Sequence, residues 1–266
     1  MTDTSKPGLL TRAHRTSNSS ILGIVVFSTL RLIDPIVQHA IITRRIDLAS
    51  FLPRLFGGTI ASAPFATSLS DVLDLPPYNQ LILLLSLGGA LKHTFWATTI
   101  SQMEFPAGIA AGIAAFNTVF NSINTVFSLW SVTSPYETNL LDSPSIVIGS
   151  VISVLGILIE VISEIQRAQF KKDPANAGKP YSGGLFGWAR HINYGGYLLW
   201  RTGFALAAGG PVWGLFSLAF FGQNFVFASI PELDAYCQKR VRRFLYWANF
   251  STEMNGPRTR KRCHTS

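Results

Sequence analysis

Apolar residues along this chain gather in long runs separated by short polar connections. The runs cover positions 20–42, 52–69, 79–100, 106–132, 145–165, 194–208 and 212–230. A bilayer core about 30 Å thick is crossed by roughly 20 apolar residues at a helical rise of 1.5 Å each. The pattern therefore predicts seven spans. The second is the weakest, because Pro53, Gly57, Gly58 and Pro64 interrupt it. Backbone polar groups in lipid must be satisfied within the spanning element, and no period-2 series marks a barrel strand, so the expected fold class is all-α, a polytopic transmembrane helical bundle.

The connections carry opposite charges. Asp71 with Asp74 and Glu137 with Asp142 are acidic, whereas Arg44 with Arg45, Lys171 with Lys172 and the tail from Lys239 to Arg262 are basic. Positive-inside logic puts the basic set, and the C-terminus, in the cytosol. Counting back through seven spans places the N-terminus on the lumenal side, where Lys6, Arg12 and Arg15 break the rule unless the second run is re-entrant. Those three cations precede an apolar stretch as in a signal peptide, but no small-residue cleavage site follows, so a retained first helix is expected. The organisation is then an N-terminal segment (1–19), a first set of membrane helices (20–132), a C-terminal membrane domain (133–250) and a basic tail (251–266) suited to anionic lipid.

Composition supports lipid as the main solvent. Only 14% of the 266 residues are charged, against about 25% in soluble domains. The net charge of +8 lies in short clusters flanking apolar runs, which suits headgroups and topology and not nucleic acid. Cys237 and Cys263 form neither a disulfide framework nor a metal-ligand set. No metal is expected, and an endoplasmic-reticulum membrane fits the whole.

Polar residues inside the runs are the candidates for chemistry, since charge at membrane depth is costly and usually faces a cavity or a partner. Arg31 and Asp34, three residues apart, lie on one helical face and can pair. Lys92, His93 and Trp96 form a cluster that either meets an acidic or phosphate group or places a snorkelling lysine and a belt tryptophan at the interface. Asn117, Asn121 and Asn124 follow i, i+4, i+7 and make one amide stripe, for interhelical hydrogen bonds or for lining a ligand site. His93, Trp96 and the three asparagines are the candidate substrate contacts.

Polar residues are densest in the stretch EVISEIQRAQFKKDPANAGKPYSGGLFGWARHINYGGYLLW, from Glu160 to Trp200. Glu160 and Glu164 sit one turn apart, within reach of Arg167, Lys171 and Lys172. Asp173, Pro174, Gly178, Pro180, Gly183 and Gly184 then form a loop, which delivers Arg190, His191, Asn193 and Tyr194 to the next span. Arginine and lysine suit phosphate, so the composition fits an anionic, nucleotide-sized ligand entering from the cytosol as well as an ordinary interfacial loop. GLFG is not a phosphate-cradling glycine fingerprint.

The run from Glu160 through QFKKDPANAGK and GLFGWARHINYGG resembles the C-terminal domain of the steroid 5α-reductase family, above all its divergent bacterial and fungal branch. Sterol reductases and isoprenylcysteine carboxyl methyltransferases share a related motif. The resemblance covers the last hundred or so residues. It implies that Glu160, Glu164, Gln166, Arg167, Arg190, His191, Asn193 and Tyr194 line a cofactor pocket, which in the reductases holds NADPH; Lys171 and Lys172 are this chain's own candidates for its phosphates. Two departures stand out: Ile192 replaces the family's proline and Tyr197 its glutamate.

The leading expectation is an NADPH-dependent reductase acting on a carbon–carbon double bond, of the enone type, in a lipophilic steroid, isoprenoid or polyketide-like substrate. Tyr194 or Tyr197 would be the proton donor, with Glu104 and His93 behind them. The alternatives are methyl transfer from S-adenosylmethionine to a lipophilic acid, and a non-catalytic family member.

Overall fold

The computed structural model describes residues 18–60, 75–101, 104–135, 139–177 and 179–231. The run at 61–69, the acidic pair Asp71 and Asp74, Glu137, both cysteines and the basic tail lie outside the described residues. The chain forms two compact units, Met1–Phe221 and Gly222–Ser266. Of the second, only residues 222–231 are described, and they close the last helix and continue into a wide turn, Phe225–Ser229.

Six α-helices make up the described chain: α1 (Asn18–Ile42), the short α2 (Phe51–Phe56), α3 (Pro77–Phe95), α4 (Ala107–Leu129), α5 (Pro144–Lys172) and α6 (Ile192–Asn224). Proline begins several of them. Pro77 and Pro144 occupy first-turn positions, where a missing N–H costs nothing and the fixed φ favours helix. At the other end of α5, Asp173 precedes Pro174 and takes an extended backbone, as a residue before proline tends to.

Among the described residues, five helical segments are long and apolar enough to cross a membrane: Ser20–Ile42, Pro77–Ile100, Ala107–Leu129, Pro144–Lys172 and Ile192–Ser229. The count of seven expected spans is therefore not reproduced among the described residues. Within the described part of the second run, 52–60, lies the one-and-a-half-turn α2, which ends at Gly57 and Gly58, both at positive φ. Two breakers in succession stop the helix there.

The last two runs relate to the helices differently. The runs 194–208 and 212–230 belong to one element, but Gly209 and Gly210 are non-helical inside it and Pro211 follows. Gly210 has φ of 73°, which favours glycine. The rings of Tyr197 and Phe221 are 5.6 Å apart, although 24 residues of straight helix would separate them by roughly 36 Å. α6 thus doubles back at Gly209–Gly210–Pro211, and its two limbs correspond to the two runs read from sequence.

Burial runs opposite to that of a water-soluble protein. Arg31, Asp34, Gln38, Lys92, Asn121 and Arg201 are inside, while Leu22, Val25, Ile33 and Ile36 of α1 and Val151, Val154, Leu155 and Leu158 of α5 are exposed. Apolar-out and polar-in is the order expected where the surroundings are hydrocarbon. The arrangement is compatible with an integral membrane protein.

Packing of α5 on the first limb of α6 depends on interleaved small residues. A Cβ on Gly156 would lie 2.4 Å from the backbone nitrogen of Trp200, and one on Gly203 would lie 2.4 Å from that of Ser153. Without a hydrophobic driving force between helices in lipid, such close backbone contact supplies van der Waals attraction instead. Gly156→Leu is expected to lower the melting temperature in detergent, the cost of overpacking being about 1–3 kcal/mol or more. Thermal unfolding of the variant beside Gly108→Leu checks this, because a Cβ on Gly108 meets nothing within 4 Å.

Candidate functional site

Polar side chains from five helices converge in the middle of the bundle. On α1, Arg31, Asp34 and Gln38 share one face at i, i+3 and i+7. Asp34 is the hub: its Oδ2 accepts from Arg31 Nη1 at 3.1 Å, from Asn121 Nδ2 at 2.5 Å and from Ser86 Oγ at 3.4 Å. Its Oδ1 accepts from Gln38 Nε2 at 2.8 Å, and Gln38 Oε1 in turn accepts from Thr125 Oγ1 at 2.8 Å. The ion pair expected between Arg31 and Asp34 is present and fully buried.

The asparagine stripe of α4 faces protein along its length. Asn117 Oδ1 accepts from Arg201 Nη2, Asn121 donates to Asp34, and Asn124 Oδ1 accepts from Trp213 Nε1 at 2.6 Å. One stripe therefore ties α4 to α1 and to both limbs of α6. Each buried amide bonds a different neighbour, although Asn121 Oδ1 has no hydrogen-bond partner among the described residues, and this argues for a helix-joining role along much of the stripe.

Lys92 does not snorkel to an interface. Its side chain is buried, and Nζ donates to Glu160 Oε1 at 2.6 Å. Four helical turns of α5 separate Pro144 from Glu160, so the carboxylate is held well inside the span, and Lys92 reaches it from the last turns of α3. Trp200 Nε1 donates to the other oxygen, Oε2, at 3.0 Å. The Lys92 ammonium also lies 5.3 Å from the Trp200 ring centre and 5.4 Å from that of Tyr197, where the negative ring faces favour a cation.

One turn further along α5, Glu164 accepts from Arg167 and, at 2.9 Å, from Asn193 Nδ2. Gln166 Oε1 accepts the backbone N–H of Leu185 at 2.9 Å, which fastens the GLFG turn to α5. The Arg167 guanidinium sits 5.8 Å from the Phe186 ring. His191 and Tyr194 stack, with ring centres 5.6 Å apart and planes 9° from parallel. Lys171, Lys172 and Arg190 are exposed. The expected cofactor set thus divides into an inner group (Glu160, Glu164, Asn193), a loop-fastening residue (Gln166) and an outer cationic rim.

The candidate substrate contacts divide likewise. His93 is buried between the edges of Phe27 and Trp200, at 5.9 and 5.7 Å, and its Nδ1 meets no hydrogen-bond partner among the described residues. Trp96 packs on Phe105 instead. Glu104 is exposed. Tyr197 is half-buried, and its hydroxyl accepts from Arg201 Nε at 3.2 Å. Arg201 and Trp200 are the main site residues that sequence reasoning passed over. The available signal was one arginine inside the otherwise uncharged run 194–208.

Removing one partner of a buried ion pair leaves the other uncompensated, at about 3–5 kcal/mol, whereas replacing both by apolar groups is close to neutral. Lys92→Met alone is expected to destabilise strongly, and Lys92→Met combined with Glu160→Leu to recover most of that loss. A double-mutant cycle on detergent unfolding midpoints measures it.

Two comparisons relate the chain to known sequences. Residues 112–252 match the family described as "Protein of unknown function (DUF1295)", a steroid 5α-reductase-like family. The chain is also 34% identical over 232 residues to the "Probable O-methyltransferase ustE" of Ustilaginoidea virens, covering 84% of this chain and 81% of that protein. No solved structure matches. With more than half of its length matched to the family, and the Glu160–Trp200 segment inside the match, this chain belongs to the DUF1295 family.

Proposed function

We propose that this protein is a membrane-embedded O-methyltransferase, which takes its methyl group from S-adenosylmethionine and acts on a lipophilic substrate. The observation that carries the reading is how charge is spent around Glu160 and Glu164. Lys92 and Arg167, the cations nearest the two carboxylates, are each engaged with one of them. With one cation on each carboxylate, the immediate surroundings of Glu160 and Glu164 are close to neutral, which suits a cofactor with a sulfonium and an ammonium better than one with several phosphates. The relative's name points the same way.

The residues present fit such a cofactor. Glu164 and Asn193 offer a carboxylate and an amide for its amino-acid end, and the stacked His191 and Tyr194 offer flat faces for an adenine. Bound there, S-adenosylmethionine supplies an electrophilic methyl group whose bond to sulfur breaks as the bond to the acceptor oxygen forms, so the acceptor must shed its proton. An acceptor that enters protonated gives its proton to His93 Nδ1, from a position held by Phe27 and Trp200, whereas one that enters as an anion needs no base. The aromatic walls exclude water around it.

A second reading keeps NADPH as cofactor and the reduction of an enone-type double bond as reaction, with Tyr194 or Tyr197 giving the proton. The exposed Lys171, Lys172 and Arg190 favour it, because a phosphate-bearing cofactor can use a cationic rim. In either case the loop 173–191 is assigned to the cytosolic face, of an endoplasmic-reticulum membrane.

Calorimetric titration of the detergent-solubilised protein separates the two. S-adenosylmethionine is expected to bind, NADPH not to, and Asn193→Leu to weaken binding about tenfold, the equivalent of 1.4 kcal/mol. Binding of NADPH alone would transfer the assignment to the reductase. With a methyl acceptor that enters protonated, His93→Phe is expected to slow transfer about 10²-fold without changing cofactor affinity.

A further inference from the structure

Three Lys and Arg side chains are buried among the described residues: Arg31, Lys92 and Arg201. Arg31 meets Asp34, and Lys92 meets Glu160. Arg201 meets no carboxylate. Its Nη2 donates to the Asn117 amide oxygen and its Nε to the Tyr197 hydroxyl, both neutral acceptors, and its Nη1 has no hydrogen-bond partner among the described residues. The rings of Trp200, Phe221 and Tyr197 surround the guanidinium at 4.2, 5.1 and 5.4 Å. Ring faces soften the loss of water but supply no countercharge.

The same region contains further unspent donors. Nε and Nη2 of Arg31 have no hydrogen-bond partner among the described residues, since Asp34 takes only Nη1. Arg31 and Arg201 lie within electrostatic range and repel one another, and Arg201 also repels Lys92. Three positive charges thus face the two carboxylates that touch them, Asp34 and Glu160; Glu164 is occupied by Arg167. An uncompensated cation inside a membrane bundle is expensive enough that such groups mark ligand or ion sites.

We infer that Arg201, together with the unpartnered N–H groups of Arg31, receives the oxyanion of a lipophilic substrate, either a carboxylate or an ionised phenol. A guanidinium fork matches delocalised oxygen anions in plane and spacing. The excess of one positive charge suits a monoanion and not a phosphate dianion. The aromatic surround suits an apolar body attached to that anion, and not a bare inorganic ion. This names the substrate class for the methyl-transfer reading and rests on it for the ligand's being the substrate. The binding itself requires no cofactor, so it can fail or succeed independently of methyl transfer.

The test supplies the missing charge from within the chain. Asn117 already touches Arg201, so Asn117→Asp gives the arginine an internal partner. The full-length protein in detergent is titrated, without cofactor, with 2-naphthoate and its methyl ester, and with 4-nitrophenol and 4-nitroanisole. At least one ionised probe is expected to bind tenfold or more tightly than its neutral methyl counterpart. Whichever pair shows the preference identifies the carboxylate or the phenol as the source, and the nitrophenolate absorbance reports ionisation in the site directly.

In Asn117→Asp that preference should disappear while the melting temperature rises by at least roughly 3 °C. Arg201→Gln should also lose the preference; if it does not fold, Asn117→Asp stands on its own. Equal binding of ionised and neutral probes by the natural protein overturns the inference. So does an ion preference that survives in Asn117→Asp, or one left intact there while S-adenosylmethionine binding is lost, because the arginine would then serve the cofactor.

Discussion

Charge inside this bundle has to be neutralised by the chain itself, and most of its internal architecture follows from that requirement. Asp34 gathers donors from α1, α3 and α4, and Glu160 gathers them from α3 and α6. In hydrocarbon, where apolar side chains have no reason to leave the surroundings, these polar contacts and close backbone approach are what select one arrangement of helices. The exterior of α5 can be almost uniformly Val, Leu and Ile because its specificity resides in Glu160, Glu164 and a glycine face. The two carboxylates are therefore both structural ties and the candidate chemistry, and the two roles cannot be varied independently.

Much of this was legible in the sequence, for identifiable reasons. Spacing alone brought Arg31 to Asp34, because both partners lie on one helix and the period is known. Spacing also placed the three asparagines on a common face, but it could not say that they would face three different partners. Partners on other helices depend on how the helices cross, which hydropathy does not encode. Lys92 illustrates the limit: a lysine near the end of an apolar run reads as an interfacial anchor until α5 is seen to present Glu160 beside it. Arg201 was hidden for a related reason, since a single cation in an apolar run gains meaning only from the rings and amide around it.

The span count shows a different limit. Hydropathy registers apolar length and not direction. It separated 194–208 from 212–230 at a Gly-Gly-Pro break, and it marked 52–69 as the weakest run because prolines and a glycine pair interrupt it. At 209–211 the breakers turn the chain back onto its own first limb, where Phe221 meets Tyr197 and Arg201. At 57–58 they end a short helix instead. The same residue types produce opposite outcomes because a limb returning from 211 has α4 to pack on, through Phe120 and Phe127.

The interleaved glycines of α5 and α6 also set the mechanics of entry. With Gly149 and Gly156 of one helix against backbone atoms of the other, and Gly196 and Gly203 returning the contact, the pair behaves like closed zipper teeth. Neither sliding nor gradual parting is available, because any displacement drives backbone into backbone or forfeits the contact entirely. The 173–191 loop is fastened differently, by the Gln166–Leu185 hydrogen bond, by Asn176 on the Phe170 carbonyl and by the rings of Phe170, Tyr181 and Phe186. Side-chain contacts of that kind can be exchanged one at a time, so the loop is the part of this wall that can yield, and the helical pair behind it is the fixed jamb.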